Sequence, residues 1–386
     1  MKAQNRTPIS IIIIIIMVKL MVVVIAAPTE STENIYTVPL QTNRHFRKNA
    51  THAVFKVRSK YTFFLDPLKT ADSPLSKGSV EMTDENDVEY YGTVKVGTPG
   101  QALKLNFDTG SSDLWFASSF CLFCGSHTKY NPLASSTYSA AMTPWSVQYG
   151  DGSTAGGVTA KDSVDIGGIL IRQQTIQLAT HESFSFRQGV TDGLLGLGFS
   201  SLASVRGTLT PADNMIRHNL IKDPIFSVYL GKQKLGGGGV FMFGNSNPAH
   251  FSGSLTPVAV DSSKGFWSVK VASLSTAGDK TVPSKTDNAL YGSFEAIVDT
   301  GTTLLILQKK TSPTNSGFDS LVFSLGGSLF QIPGDDLVYV REGAHCIAGF
   351  ATGDFPFSIL GDVFIRNNYV VFDMKVPQIQ LAPVRH

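Results

Sequence analysis

The sequence predicts a mainly β protein built as two related lobes, and three observations carry that expectation. Gly is abundant at 36 residues while charged residues make up only 16% of the chain, a composition of many strands joined by tight turns rather than of long helices. The stretch Phe107-Asp108-Thr109-Gly110-Ser111-Ser112-Asp113-Leu114-Trp115 returns, altered, as Val298-Asp299-Thr300-Gly301-Thr302-Thr303-Leu304-Leu305. A second pair, Leu195-Gly196 and Leu360-Gly361, extends the duplication beyond a single motif.

One Asp-Thr-Gly is an ordinary turn, because Asp and Gly are what turns use. Two copies, each entered from apolar chain and left through hydroxyl residues into apolar chain again, deliver one carboxylate apiece. Two carboxylates held close together cannot both ionise cheaply, so the pair keeps one proton over a wide pH range. The charged member can then deprotonate a water while the protonated member polarises a carbonyl, which is acyl hydrolysis without a covalent intermediate.

Around these repeats stand Glu89-Tyr90-Tyr91-Gly92, Gly97-Thr98-Pro99-Gly100, Tyr149-Gly150-Asp151-Gly152-Ser153, Asp192-Gly193-Leu194-Leu195-Gly196-Leu197-Gly198 and Ile359-Leu360-Gly361-Asp362. With them the chain resembles the pepsin-family aspartic proteases, and within that family the secreted fungal pepsins, from about Ile35 to Val384. The resemblance implies a bilobal pepsin-like fold with the active site in the cleft between lobes, Asp108 and Asp299 as the catalytic pair, and a peptide or protein substrate. It implies no cofactor, no metal and a monomer.

In chain order, Met1 to Ser10 carries Lys2 and Arg6, Ile11 to Ala27 is apolar apart from Lys19, and small residues precede Pro28. This reads as a secretory signal peptide over 1–27, too short and interrupted to be a stable membrane anchor. The expected destination is extracellular, with a vacuole as the alternative. Residues 28–80 hold eight Lys plus Arg against four Asp plus Glu, whereas 81–386 hold 21 against 26. A basic front on an acidic body suggests a prosegment, 28–78, that docks by charge as an intramolecular inhibitor and is released by acid. By the resemblance Lys60-Tyr61 lies across the cleft; an ammonium is a natural neutraliser of two crowded carboxylates. The one sequon after the leader, Asn49-Ala50-Thr51, falls in this segment.

The first lobe is expected over 79–254. Alternation through Val88 to Val96 and Leu103 to Phe107 predicts a hairpin that buries Leu103, Leu105 and Phe107 and ends on Asp108. Ser111 and Thr302 lie three residues past each Asp, in reach to donate a hydroxyl hydrogen bond. Gly110 and Gly301 let the loops aim amides at the pair. The resemblance makes Thr109 and Thr300 the lock between the two loops. Cys121 and Cys124 fit half a zinc site or a redox pair, but with no second pair and no thioredoxin-like pattern around them a local disulfide suits a secreted chain better. Trp145 to Ala160 reads as a glycine-tipped hairpin. In the family it is the flap, with Tyr149 over the cleft and Trp115 holding the Tyr hydroxyl. Tyr149, Gly150, Asp151, Ser153, Gly110, Gly301, Thr302 and Thr303 would then face the substrate. Asp151, as an acidic flap-tip residue, would admit Lys as well as large apolar residues before the cleaved bond.

Thr210-Pro211 opens a short helix, and Gly236 to Gly239 form a surface turn rather than a phosphate loop, since no Gly-Lys-Ser/Thr follows. The second lobe is expected over 255–386. After Leu307 the family runs through a helix and a cysteine-bearing strand, but only Gln308 to Ser320 stands here, and Cys346 loses its partner. A missing helix beneath the second Asp loop would bare apolar surface unless the lobe repacks; residues 279–292 are longer than usual. No basic run with interleaved aromatics suggests nucleic acid. A zinc His-Glu-x-x-His and a Gly-x-Ser-x-Gly elbow are missing, and the eight histidines read as surface residues. A non-catalytic protease-like binding protein and a glycosidase with paired carboxylates are the alternatives; the flap argues for an extended peptide over a sugar.

Overall fold

In the computed structural model, which describes residues 78–85, 89–149, 153–277, 289–308, 320–342, 345–353 and 355–385, the strands Glu89–Val96 and Gln101–Asp108 form the expected hairpin. Leu103, Leu105 and Phe107 are at most 1% exposed, while Ala102 and Lys104 face solvent. Burial alternates as far as Leu105 and is continuous from there to Asp108, which places that residue at the end of a rigid strand.

The duplication read from the motifs is also a duplication of strand pairing. Gln101–Asp108 runs parallel to Gly193–Gly196, with Asp108 opposite Gly196; Phe294–Val298 runs parallel to Ser358–Leu360, with Val298 opposite Leu360. The strand that leaves each Asp loop, Leu114–Ala117 or Leu305–Gln308, then pairs antiparallel with that same crossing strand. Each of these also pairs parallel with a further strand, Ile169–Glu182 in the first half and Phe350–Gly353 in the second. Glycine is required at the crossings: a Cβ on Gly196 would lie 2.5 Å from the Ser112 Cα, and one on Gly361 would lie 2.2 Å from the Thr302 carbonyl oxygen.

The halves share a sheet. Gly78–Glu85 pairs with Gly239–Phe243, which pairs with Ile225–Leu230; that strand pairs with Asn368–Asp373, then Gln378–Pro383, then Thr256–Asp261. Phe226 stacks on Phe372 at 4.6 Å between ring centroids, and Trp267 donates its indole N–H to the Leu197 carbonyl at 2.9 Å. Apolar burial is therefore continuous from one half to the other, the main stabilising term for a body of this size.

Two stretches carry more than their sequence motifs show. The run of glycines does form a turn, with positive φ at Gly236, Gly237 and Gly238, but Lys232 at its start is buried. Its Nζ donates to Asp336 Oδ2 at 2.8 Å and Asn367 Oδ1 at 2.9 Å, and Lys234 reaches Asp336 Oδ1 at 3.2 Å. Burial alone would raise the Asp336 carboxyl, but the two lysines outweigh it and hold it below its ordinary value. Lys232→Met should destabilise the protein by about 3 kcal/mol, because it removes the shorter of the two lysine bonds to a buried carboxylate and leaves only Lys234 on it. A lower urea midpoint checks this, and adding Asp336→Asn should recover most of the loss.

The other is the shortened stretch, where the described residues of the lobe are packed. Instead of bare apolar surface after the second Asp loop, Leu304, Leu305, Ile306 and Leu307 are at most 1% exposed. Leu304 and Ile306 pack with Phe266, Tyr339, Phe357 and Ile359, and the strand Ser320–Leu325 places Phe323 edge-on against Phe364 at 5.6 Å. The residues between Gln308 and Ser320, and most of 279–292, lie outside those described. Pro211–Arg217 is the expected helix, capped by Thr210 with a reciprocal bond from Asp213.

Candidate active site

Asp108 and Asp299 are 1% and 0% exposed, and their surroundings match atom for atom. Gly110 N–H donates to Asp108 Oδ1 at 2.8 Å, and Gly301 N–H to Asp299 Oδ1 at 2.9 Å. Ser111 Oγ donates to Asp108 Oδ2 at 2.5 Å, and Thr302 Oγ1 donates to Asp299 Oδ2. Each carboxylate is thus oriented by one amide and one hydroxyl, both of which favour its charged form.

The loops that carry them are tied to each other. Thr109 N–H donates to Thr300 Oγ1 and Thr300 N–H to Thr109 Oγ1, both at 3.0 Å. The same two hydroxyls donate across to the strands that lead into the opposite motif, Thr109 Oγ1 to the Val298 carbonyl at 2.9 Å and Thr300 Oγ1 to the Phe107 carbonyl at 2.6 Å. All six atoms of this lock are inside the protein, where an unmade bond is costly. The two half-sites are therefore fixed relative to each other.

The crossing strands close the loops from behind. Leu197 N–H donates to the Asp108 carbonyl at 2.7 Å, while Asp299 N–H donates to the Leu360 carbonyl at 3.1 Å. Thr302 and Thr303 accept from Asp362 N–H and Val363 N–H at 2.8 and 3.2 Å. Deeper in the first loop, Asp113 accepts from Ser204 N–H and Oγ, each at 3.0 Å. Burial raises its carboxyl above the ordinary value, and the hydrogen bonds from Gln177 and Ser204 offset only part of that. Sequence reasoning gave Asp113 no role.

The flap hairpin is Ser139–Gln148 paired with Thr154–Ile166. Tyr149 N–H donates to the Ser153 carbonyl at 2.8 Å, so these two close the base of the tip; Gly150 and Asp151 at the tip lie outside the described residues, as do Lys60 and Tyr61. Trp115 Nε1–H donates to the Tyr149 hydroxyl at 2.6 Å, as the resemblance implied. One partner was missed: Phe186, on the short helix Phe184–Arg187, packs edge-on against both Trp115 and Tyr149, at 4.8 and 5.4 Å. Cys121 and Cys124 form the local disulfide.

A model of the eukaryotic aspartyl protease family matches residues 89–315 and 311–384. The chain belongs to that family. The protease is 46% identical to rhizopuspepsin-3 of Rhizopus niveus over 93% of its own length and 95% of the relative's. It is likewise 46% identical to syncephapepsin of Syncephalastrum racemosum, over 93% and 95%, and 35% identical to pepsin A of Rhinolophus ferrumequinum, over 91% and 96%. It is an aspartic endopeptidase of the rhizopuspepsin type, a hydrolase of peptide substrates. The two matched segments overlap at 311–315. No helix among the described residues is long and apolar enough to cross a membrane.

Proposed function

We propose that Asp108 and Asp299 share one proton and activate one water between them for attack on the scissile peptide carbonyl. The observation that carries this is the pairwise equivalence of the two half-sites: each carboxylate has one amide and one hydroxyl donor, on loops locked by Thr109 and Thr300. A near-symmetric pair lets either member take the proton as charge moves from water to substrate and on to the leaving amine. Gly110, Gly301, Thr302 and Thr303 line the substrate path, and Tyr149 with Ser153 closes over it and excludes water.

The chain is read as a secreted zymogen and a monomer in its mature form, with 1–27 as leader, 28–78 as prosegment, 79–254 as the first lobe and 255–386 as the second. Lys60 and Tyr61 occupy the cleft until acid protonates the carboxylates that hold them. The test is digestion of a denatured protein at about pH 3 to 4, where one carboxylate of such a pair stays charged. Acid-dependent cleavage that pepstatin stops supports the proposal; a folded, inert parent would favour the non-catalytic reading.

For specificity, we read Asp151 as the residue whose carboxylate receives a cationic side chain in an otherwise apolar pocket, as an acidic residue at this point of the sequence implies. Asp151→Ser should lower kcat/KM for peptides cleaved after Lys by about 100-fold, the scale of one lost desolvated ion pair. Cleavage after Phe or Leu should change little, and an equal loss on both substrates would refute the assignment.

A further inference from the structure

The eight histidines were expected at the surface, yet His127 is not there. Its Nε2 stands 3.5 Å from Glu182 Oε2, and the two side chains are 5% and 1% exposed. Apart from His127, no described residue donates a hydrogen bond to either Glu182 oxygen, so the imidazolium is what makes this buried carboxylate tolerable.

The pair sits at a junction. On one side, His127 follows the Cys121–Cys124 disulfide, and Gly125 between them has φ +47°, with the place of its absent Cβ only 2.6 Å from the Arg187 carbonyl oxygen. On the other side, Glu182 ends a strand paired with the outgoing flap strand, and Ser183 is bonded both ways to Thr154, at 2.8 and 3.0 Å. Next comes the helix Phe184–Arg187, whose Phe186 packs on Trp115 and Tyr149. The disulfide turn, the flap and this aromatic contact are thereby joined through one ion pair.

We propose that His127 and Glu182 are positioning residues for the substrate, a buried latch that holds Phe184–Arg187 in place and so fixes Phe186 against the flap tyrosine. The inference rests on the reading of the cleft as the peptide site. The groups that face His127 all favour its charge except burial: Glu182 contributes most, Asp192 adds to it, and the Phe186 carbonyl accepts from the ring. Asp192 is itself held by the Lys104 and Thr128 amides at 2.7 and 2.8 Å. His127 therefore keeps its proton above the ordinary histidine range. The sign follows: the latch is closed below the ordinary histidine value of about 6.5, and opens as pH rises through the raised one.

The test follows the His127 ring by NMR and the emission of Trp115 and Trp145 by fluorescence, in the full chain. His127 should titrate above about 6.5, with an emission change at the same pH and no loss of far-ultraviolet circular dichroism. In Glu182→Gln the ring should titrate lower than in the parent, since burial is then opposed only by Asp192 and the Phe186 carbonyl, and the coincident emission change should vanish. At acid pH, Glu182→Gln should raise KM for a peptide with a large apolar residue before the cleaved bond about five-fold and leave kcat within about two-fold. A His127 value at or below 6.5 in the parent, emission that ignores the titration, or a variant that loses thermal stability with KM unmoved would each overturn the proposal. Both titrations as expected, in a chain without pepstatin-sensitive cleavage, would instead sink the catalytic reading and leave the latch standing.

Discussion

Asp108→Asn should lower kcat by about 10,000-fold at acid pH, and Asp299→Asn by as much, because each removes one of the two groups that must exchange a proton with the water or the substrate. The amide cannot take a proton from water, and its NH2 also turns a donor toward either the Gly110 amide or the Ser111 hydroxyl, which now donate to the carboxylate. The double variant should be no worse than either single one, since the pair acts as a unit. Initial rates on a chromogenic peptide, with circular dichroism to confirm folding, would check this. Loss of less than about ten-fold in either single variant would remove that residue from the chemistry.

The second large effect concerns pH above the ordinary carboxylate range. Asp113 is 2% exposed, and its hydrogen-bond donors, Ser204 and Gln177, are neutral. Its folded-state pKa is raised by burial, so between the unfolded value and the raised one the folded state holds a proton that the unfolded chain has lost. Stability therefore falls as pH rises across that window, by about 1.4 kcal/mol per pH unit for one such group. Asp192 and Asp213 are raised for the same first cause, so the slopes add to roughly 4 kcal/mol per unit where the windows overlap. Asp113→Asn keeps an acceptor for Ser204 without the titration. It should move the high-pH unfolding midpoint upward by about half a pH unit or more in a pH series of thermal melts, and an unmoved midpoint would clear Asp113 of that role.

The catalytic loops were legible in the sequence because their chemistry is local and repeated: Ser111 and Thr302 reach their carboxylates across three residues, and Gly110 and Gly301 across two. The hairpin before Asp108 was legible because apolar residues alternate along it. What escaped were pairings between distant residues of unremarkable type. Nothing near His127 announces Glu182, and nothing near Lys232 announces Asp336, which lies 104 residues on. Phe186 was invisible for the same reason, since an aromatic in a polar stretch reads as surface until Trp115 and Tyr149 are brought to it. The glycine run misled in a different way, drawing attention to the turn and away from the buried lysine that begins it.

The sheet shared by the two halves also sets a schedule for synthesis. Ile225–Leu230 has one edge covered by Gly239–Phe243, its near neighbour in the chain, but the other must wait for Asn368–Asp373, with Val228 opposite Val370. At ~5–20 residues per second the intervening stretch takes roughly 7 to 30 s to emerge from a ribosome. For that interval a strand with four buried positions in six offers an open edge to any other chain. A product cut short before Asn368 would keep both aspartates and still carry that edge permanently, so it should accumulate in aggregates rather than as a weaker protease.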